Sequence, residues 1–281
     1  LTPAYKGIRY NFMNNIVLYT KSFRGDVHRA KVLLDSVFKY NNDSIPFYIS
    51  VPKADIDIFK HSLGTTGYIL VEDESVYNHS QSESWTTQQI VKSSFWKLGV
   101  CENWVNIDSD SYFIKPFYIR DFIVDGTEST PYTVMHEQKD LFSWTCNKNS
   151  KLGFDPYDSF KECRQKIMDV FDRKGRYYDF GPSPIIWNKK VWETLETDYL
   201  KPNSLEFTDL IKSVPAEFAW YGEWLLTTGV IPIHPIEPMF KVFHYKPQYE
   251  EFKHNGYKEE DLAQIYLGIV MQSNWSAGVK Y

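Results

Sequence analysis

Apolar positions fall into short runs separated by stretches of helical spacing through the first 117 residues. Ile16 to Thr20, Ile45 to Val51 and Tyr68 to Val71 are compact apolar runs of strand length. Pro46 suits the start of its strand. Between the runs the period changes. Asp26 to Tyr40 carries Val27, Ala30, Leu33, Leu34, Val37 and Phe38 at helical spacing, and Lys53 to Leu63 carries Ile56, Phe59 and Leu63 on one side. Glu83 to Val100 predicts a longer helix, leading into a strand that ends at Asp108. This alternation predicts a mostly parallel sheet covered by helices on both faces. Ligands of such sheets bind beyond the carboxyl ends of the strands, where Thr20, Glu72 and Asp108 fall.

The second half is less regular. Pro131 to His136, Phe180 to Trp187 and Phe240 to Tyr245 predict strands, the second entered through a glycine–proline turn. Asp158 to Phe171, Lys189 to Glu196, Phe218 to Leu226 and Glu259 to Met271 predict helices. With no internal repeat, low-complexity tract or linker, one α/β domain is expected. Its parts run over about 14–117, about 118–250 and a helical segment at 251–281.

Composition narrows the classes of partner. The 281 residues suit one large α/β domain, and 43% hydrophobic with 24% charged residues is a soluble globular profile. A net charge of -5 argues against a nucleic-acid partner, whose backbone draws a basic surface. No apolar run approaches the roughly 18 residues of a membrane span. Cys101, Cys146 and Cys163 are odd in number and lack metal-ligand spacing, which predicts reduced thiols in a cytoplasmic setting. The N-terminus lacks the basic-then-apolar order of a signal peptide.

The candidate chemistry centres on Asp108-Ser109-Asp110. On a strand the two carboxylates share a face at the mouth of the sheet, where hard oxygen ligands suit Mg²⁺ or Mn²⁺ with positions left for substrate phosphates. The other reading is a polar turn between two strands. Trp85, Gln88, Gln89 and Lys92 share one helical face just before this point. Glu217 and Glu223 flank the aromatic run Phe218 to Gly222. Desolvation there would raise a carboxyl pKa towards that of a general base.

Four stretches carry a resemblance to the nucleotide-diphospho-sugar transferases of the GT-A fold, and more narrowly to a glycosyltransferase-like family of bacteria and large viruses. They are Ile16 to Phe23, Trp85 to Lys92, Ile107 to Phe113 and Ala219 to Glu223. The resemblance implies a Rossmann-like sheet and a smaller mixed acceptor-side half. It implies a metal-dependent glycosyltransferase that moves a sugar from a UDP- or GDP-linked donor to a hydroxyl of a saccharide or related acceptor, with Mn²⁺ or Mg²⁺ as cofactor. Asp110 would hold the metal, Asp108 the ribose or metal, and His244 would be a third ligand. Lys246, two residues on along a strand, would meet a phosphate. Thr20, Lys21 and Phe23 would hold the nucleotide, and Gln88, Gln89 and Lys92 the donor sugar or diphosphate. For the base, Glu223 ranks first, Glu217 second and Asp179 third. Trp187, Trp220 and Tyr221 would form an acceptor platform, and His136 and Glu137 would touch acceptor or donor sugar. Two rivals are a sugar-phosphate nucleotidyltransferase and a non-catalytic carbohydrate-binding protein. The first usually shows a glycine-rich phosphate loop, whereas Thr20 to Gly25 holds a single glycine.

Overall fold

The computed structural model describes residues 14–77, 85–127, 129–146 and 156–272. Its strands are β1 (Asn14–Lys21), β2 (Phe47–Val51), β3 (Ile69–Glu72), β4 (Cys101–Asn106), β5 (Ser111–Phe113), β6 (Thr133–Val134), β7 (Ile185–Asn188), β8 (Pro235–Ile236), β9 (Phe240–Phe243) and β10 (Gly268–Met271). Its helices are α1 (Val27–Tyr40), α2 (Ile56–Leu63), α3 (Asp73–Val76), α4 (Trp85–Ser94), α5 (Lys139–Cys146), α6 (Pro156–Val170), α7 (Lys189–Thr194), α8 (Phe207–Ser213), α9 (Glu217–Thr228), α10 (Lys246–His254) and α11 (Glu259–Leu262). None among the described residues is long and apolar enough to cross a membrane.

The main sheet has the order β3-β2-β1-β4-β7, parallel except for β7. The reason is legible in β1. Val17 and Tyr19 enter one core with Phe95, Trp104 and Trp220, while Ile16 and Leu18 enter another with Leu33, Phe59 and Val105. A strand buried on both faces reads as a continuous apolar run, and each fully buried side chain of this size contributes about 1.5–3 kcal/mol. From β1 the chain winds outward through β2 to β3, then returns to place β4 on the other side of β1. The strand order therefore reverses between β1 and β4, and the crevice beyond their carboxyl ends is where ligands of open α/β sheets bind.

A second sheet, β5-β10-β9, and the pair β6-β8 complete the fold. Here several sequence expectations are corrected. Glu259 to Met271 is not one helix: α11 stops at Leu262, and Gly268–Met271 is the central strand of the second sheet. Gly268 is needed there, because a Cβ would lie 2.5 Å from the Phe240 ring and from the Tyr112 carbonyl. The strand expected over Phe240 to Tyr245 ends at Phe243, and α10 begins at Lys246. Helices α5, α8 and α10 were not predicted by the hydrophobic pattern. The helix expected from Glu83 is described from Trp85 to Ser94 and tightens into a 3₁₀ turn over Phe95–Leu98. Positions 83 and 84 lie outside the described residues.

Candidate active site

At the reversal point β4 ends at Asn106, and the Ser111 N–H donates to the Asp108 carbonyl at 3.1 Å, closing a tight turn. Asp108 and Asp110 thus do not share a strand face. They sit on a turn that carries the chain from the main sheet into the second one. This is the polar turn between two strands that the sequence also allowed, and it lies at the mouth of the crevice. Asp108 keeps 31% of its side chain exposed, and Asp110 is buried. The Asp108 N–H donates to Ser183 Oγ at 2.7 Å. Ser109 Oγ lies 3.4 Å from Asp26 Oδ2, which joins this turn to the segment that follows β1.

Helix α4 brings the decisive side chain. Trp85 is exposed and Gln88 half-buried, but Gln89 and Lys92 face inward. Lys92 Nζ lies 2.5 Å from Asp108 Oδ1 and 3.5 Å from Glu217 Oε1. Gln89 Oε1 accepts the Glu217 N–H at 3.3 Å. One ammonium thus joins α4, the turn after β4 and the start of α9. Burial opposes its charge, but Asp108, Glu217 and Asp110 outweigh burial and hold its pKa well above the ordinary lysine range. Burial also pushes the Glu217 carboxyl up, and the Asp108 charge adds to it. Lys92 works against that rise without cancelling it, because it sits closer to Asp108 than to Glu217.

The other predicted residues divide. Thr20 is fully buried at the end of β1, and Phe23 is half-buried in the following loop. Lys21 is corrected as a nucleotide contact: it is wholly buried, 3.0 Å from Asp73 Oδ2, and donates to the Ser22 carbonyl. Arg24, in the same loop, is held by Asp55 at 2.6 Å. Glu223, first choice as base, is fully enclosed and gripped through both oxygens by Arg173, one contact at 2.9 Å. Burial raises its carboxyl and Arg173 opposes the rise. Asp179 accepts from Arg164 at 2.7 Å, from the Gly181 N–H at 3.1 Å and from Gln138. Burial disfavours its charge, but Arg164 and His136 outweigh burial, so its pKa falls below the usual range, the wrong direction for a base. Trp187, Trp220 and Tyr221 are core rather than platform.

His244 is buried just past β9, and burial above all lowers its pKa to about 4. The Met271 N–H donates to the Asp110 carbonyl, and Met271 pairs with Phe243, so Asp110 and His244 stand at one end of the second sheet with β10 between them. That spacing is two strand separations, roughly 10 Å of backbone. Among the described residues no three His, Cys, Asp or Glu side chains converge closely enough to hold a metal ion. Lys246 does not share the His244 face, because the strand has ended. It is exposed on α10 and pairs with Glu250 at 3.5 Å.

Beside this site lies an open cleft of about 1390 Å³, whose walls include His136, Glu137, Tyr178, Pro182 and His244. The loop over 178–184 connects the two places, since Pro182 lines the cleft and Ser183 holds the Asp108 N–H. His136 Nε2 is 2.6 Å from the Gly181 carbonyl in the same loop. Phe180 anchors that loop on α9, directly over Gly222, where no room is left for a Cβ. Ser183, Arg164 and Arg173 were not singled out from sequence, because nothing local marks them.

Residues 15–204 match DUF6492, a family of unknown function. The chain belongs to that family. No curated protein matches the sequence. Among solved structures, the crystal structure of mouse xyloside xylosyltransferase 1 in its apo form is similar to this DUF6492 chain over 94% of its length and 99% of that protein's. The sequence identity is 10% and the TM-score 0.48, a distant likeness that transfers no chemistry.

Proposed function

We propose that the crevice beyond β1 and β4 binds a sugar nucleotide and that the protein transfers its sugar to a hydroxyl acceptor. The observation that supports this best is the junction of Asp108, Lys92 and Glu217 where the strand order reverses. Asp110 and His244 fit a divalent cation in kind: a hard carboxylate, and an imidazole that burial keeps neutral. Mn²⁺ or Mg²⁺ held there, with Asp108 beside it, would supply charge neutralisation to a leaving diphosphate. Among the described residues no three such side chains converge, so substrate oxygens and water would have to complete the set of ligands, as Mg²⁺ sites commonly allow.

The chain's own groups do the rest. Phe23 borders the nucleotide and Gln88 the donor sugar, while Thr20 and Gln89 are buried behind them and Gln89 holds the Glu217 N–H. Lys92 fixes Asp108 and Glu217 relative to each other and offers positive charge to the donor. The acceptor oxygen bonds to the anomeric carbon as the bond from that carbon to the diphosphate breaks, with the bonding pair leaving on the nucleoside diphosphate. Glu217 takes the acceptor proton, and burial, which raises its pKa, strengthens its hold on that proton. A nucleotidyltransferase is disfavoured because Lys21 at the end of β1 and Arg24 in the segment after it are engaged by Asp73 and Asp55.

The test is a panel of UDP- and GDP-sugars incubated with Mn²⁺ or Mg²⁺. Release of nucleoside diphosphate, increased by saccharide acceptors, is the expected result. Pyrophosphate from a nucleoside triphosphate and sugar phosphate would replace this reading with the nucleotidyltransferase, and saccharide binding without turnover would replace it with a binding protein.

A further inference from the structure

The open cleft is built unlike the crevice. Its volume, about 1390 Å³, exceeds the ~300–1,000 Å³ of a small-molecule pocket, so an extended occupant fits it better than a single small one. Two of its wall rings are backed by a second ring. Trp144 lies over Tyr245, with centroids 5.7 Å apart and planes 14° from parallel, and its indole N–H donates to Glu251 at 3.0 Å. Tyr257 lies over Phe252, 5.7 Å apart and 23° from parallel, and is 56% exposed. Ile265, at 76% exposed, also lines the cleft. Flat rings held from behind offer a preorganised face, which lowers the ordering cost of binding. The C–H faces of a pyranose suit the negative face of such rings.

Charge selects among extended occupants. Five acidic and four basic side chains line the cleft, and the two signs are interspersed. Glu137, for instance, lies 2.9 Å from both Lys139 and Arg176. A polyanion would be drawn by a net positive wall, and this wall has none. Closely spaced charged groups instead give many donors and acceptors for hydroxyls.

We infer that this cleft seats a neutral oligosaccharide of several units, with Trp144 and Tyr257 as its stacking platforms. As an acceptor site the inference rests on the transferase reading; as a binding site it stands separately. Pro182 lines the cleft beside Ser183, which holds the Asp108 N–H, and this would place the acceptor's reacting hydroxyl near Pro182.

Calorimetry on the full chain, with neutral gluco-, manno-, galacto- and xylo-oligosaccharides and chitooligosaccharides from mono- to hexasaccharide, tests it, with oligogalacturonate as the anionic probe. At least one neutral series is expected to bind more tightly with length. Trp144→Ala should weaken the longer ligands by about tenfold or more, and Trp144→Phe should restore most of the loss. Tyr257→Ser changes an exposed ring and does not endanger folding; it should weaken long ligands more than short ones. Absence of neutral binding, affinity independent of length, tighter binding of oligogalacturonate, or indifference to both platform substitutions would each overturn the inference. Donor hydrolysis by the wild type without oligosaccharide binding would overturn it while sparing the transferase reading. Oligosaccharide binding with no donor turned over would support it and remove that reading.

Discussion

Glu217 and Glu223 lie on the same helix, both buried, and burial raises both carboxyls. Glu217 meets Lys92 beside Asp108 at the crevice; Glu223, turned roughly 120° away around the helix axis, is enclosed by Arg173. A buried acid among aromatics is therefore not in itself a sign of catalysis, since the partner supplied by another segment decides its use. Glu223 has the chemistry of a buried ion pair whose remaining value is structural. Glu217 shares its counter-charge with a more exposed carboxylate and so keeps an incomplete partnership.

The largest expected break in this comparison is in turnover. Glu217→Gln should lower sugar transfer by roughly 10²–10⁴-fold, the usual worth of a general base, while the thermal transition of the protein persists. The same change at the other end, Glu223→Gln, should act through stability, and a loss of turnover in the folded protein as large as that of Glu217→Gln would reverse the assignment.

Next comes stability. Arg173→Ala leaves Glu223 buried and unpaired, and urea denaturation should show a loss of about 3–5 kcal/mol. A double replacement of Arg173 and Glu223 by apolar residues of similar volume should recover much of it. A loss under about 1 kcal/mol for Arg173→Ala would mean that the clamp is not formed.

A smaller effect separates buried acids by sign. The Glu217 carboxyl is raised on folding, so its contribution favours the folded state below the unfolded value, near ~4.3, and is lost as pH rises through the folded value. Glu217→Gln should thus be more stable than the wild type at neutral pH, with the advantage vanishing in acid. Asp179 is depressed, so its contribution is present above its unfolded value and lost as pH falls through the folded one. Asp179→Asn should be less stable at neutral pH and converge on the wild type in strong acid. Stability curves against pH for the two variants should bend in opposite directions.

The smallest effect is at Lys246. Exposed and paired with Glu250 along its own helix, it should cost ~0.5 kcal/mol or less on change to Ala.

The first half of the chain was legible because β1 and β2 are covered on both faces and α1 and α2 on one, which writes runs and helical spacing directly into the sequence. The Asp108 turn was legible as a polar turn between two strands, while the alternative reading placed both carboxylates on one strand face. What escaped depends on distant partners. Ser183 meets Asp108 from 75 residues away and Arg173 meets Glu223 from 50, separations that leave no local pattern. β10 escaped because the acidic start of α11 continues into an apolar run, and only the placement of Gly268 against Phe240 distinguishes strand from helix. His244 and Lys246 separated because a helix begins between them in place of two more strand residues.

The most direct measurement is equilibrium binding of UDP and GDP, with and without Mn²⁺, to the wild type and to Asp110→Ala. The account predicts that one of these nucleotides binds the wild type only when Mn²⁺ is present, and that Asp110→Ala abolishes this binding while melting as a folded protein. Metal-dependent binding retained by Asp110→Ala, or no binding of either nucleotide by the wild type with Mn²⁺, would contradict it.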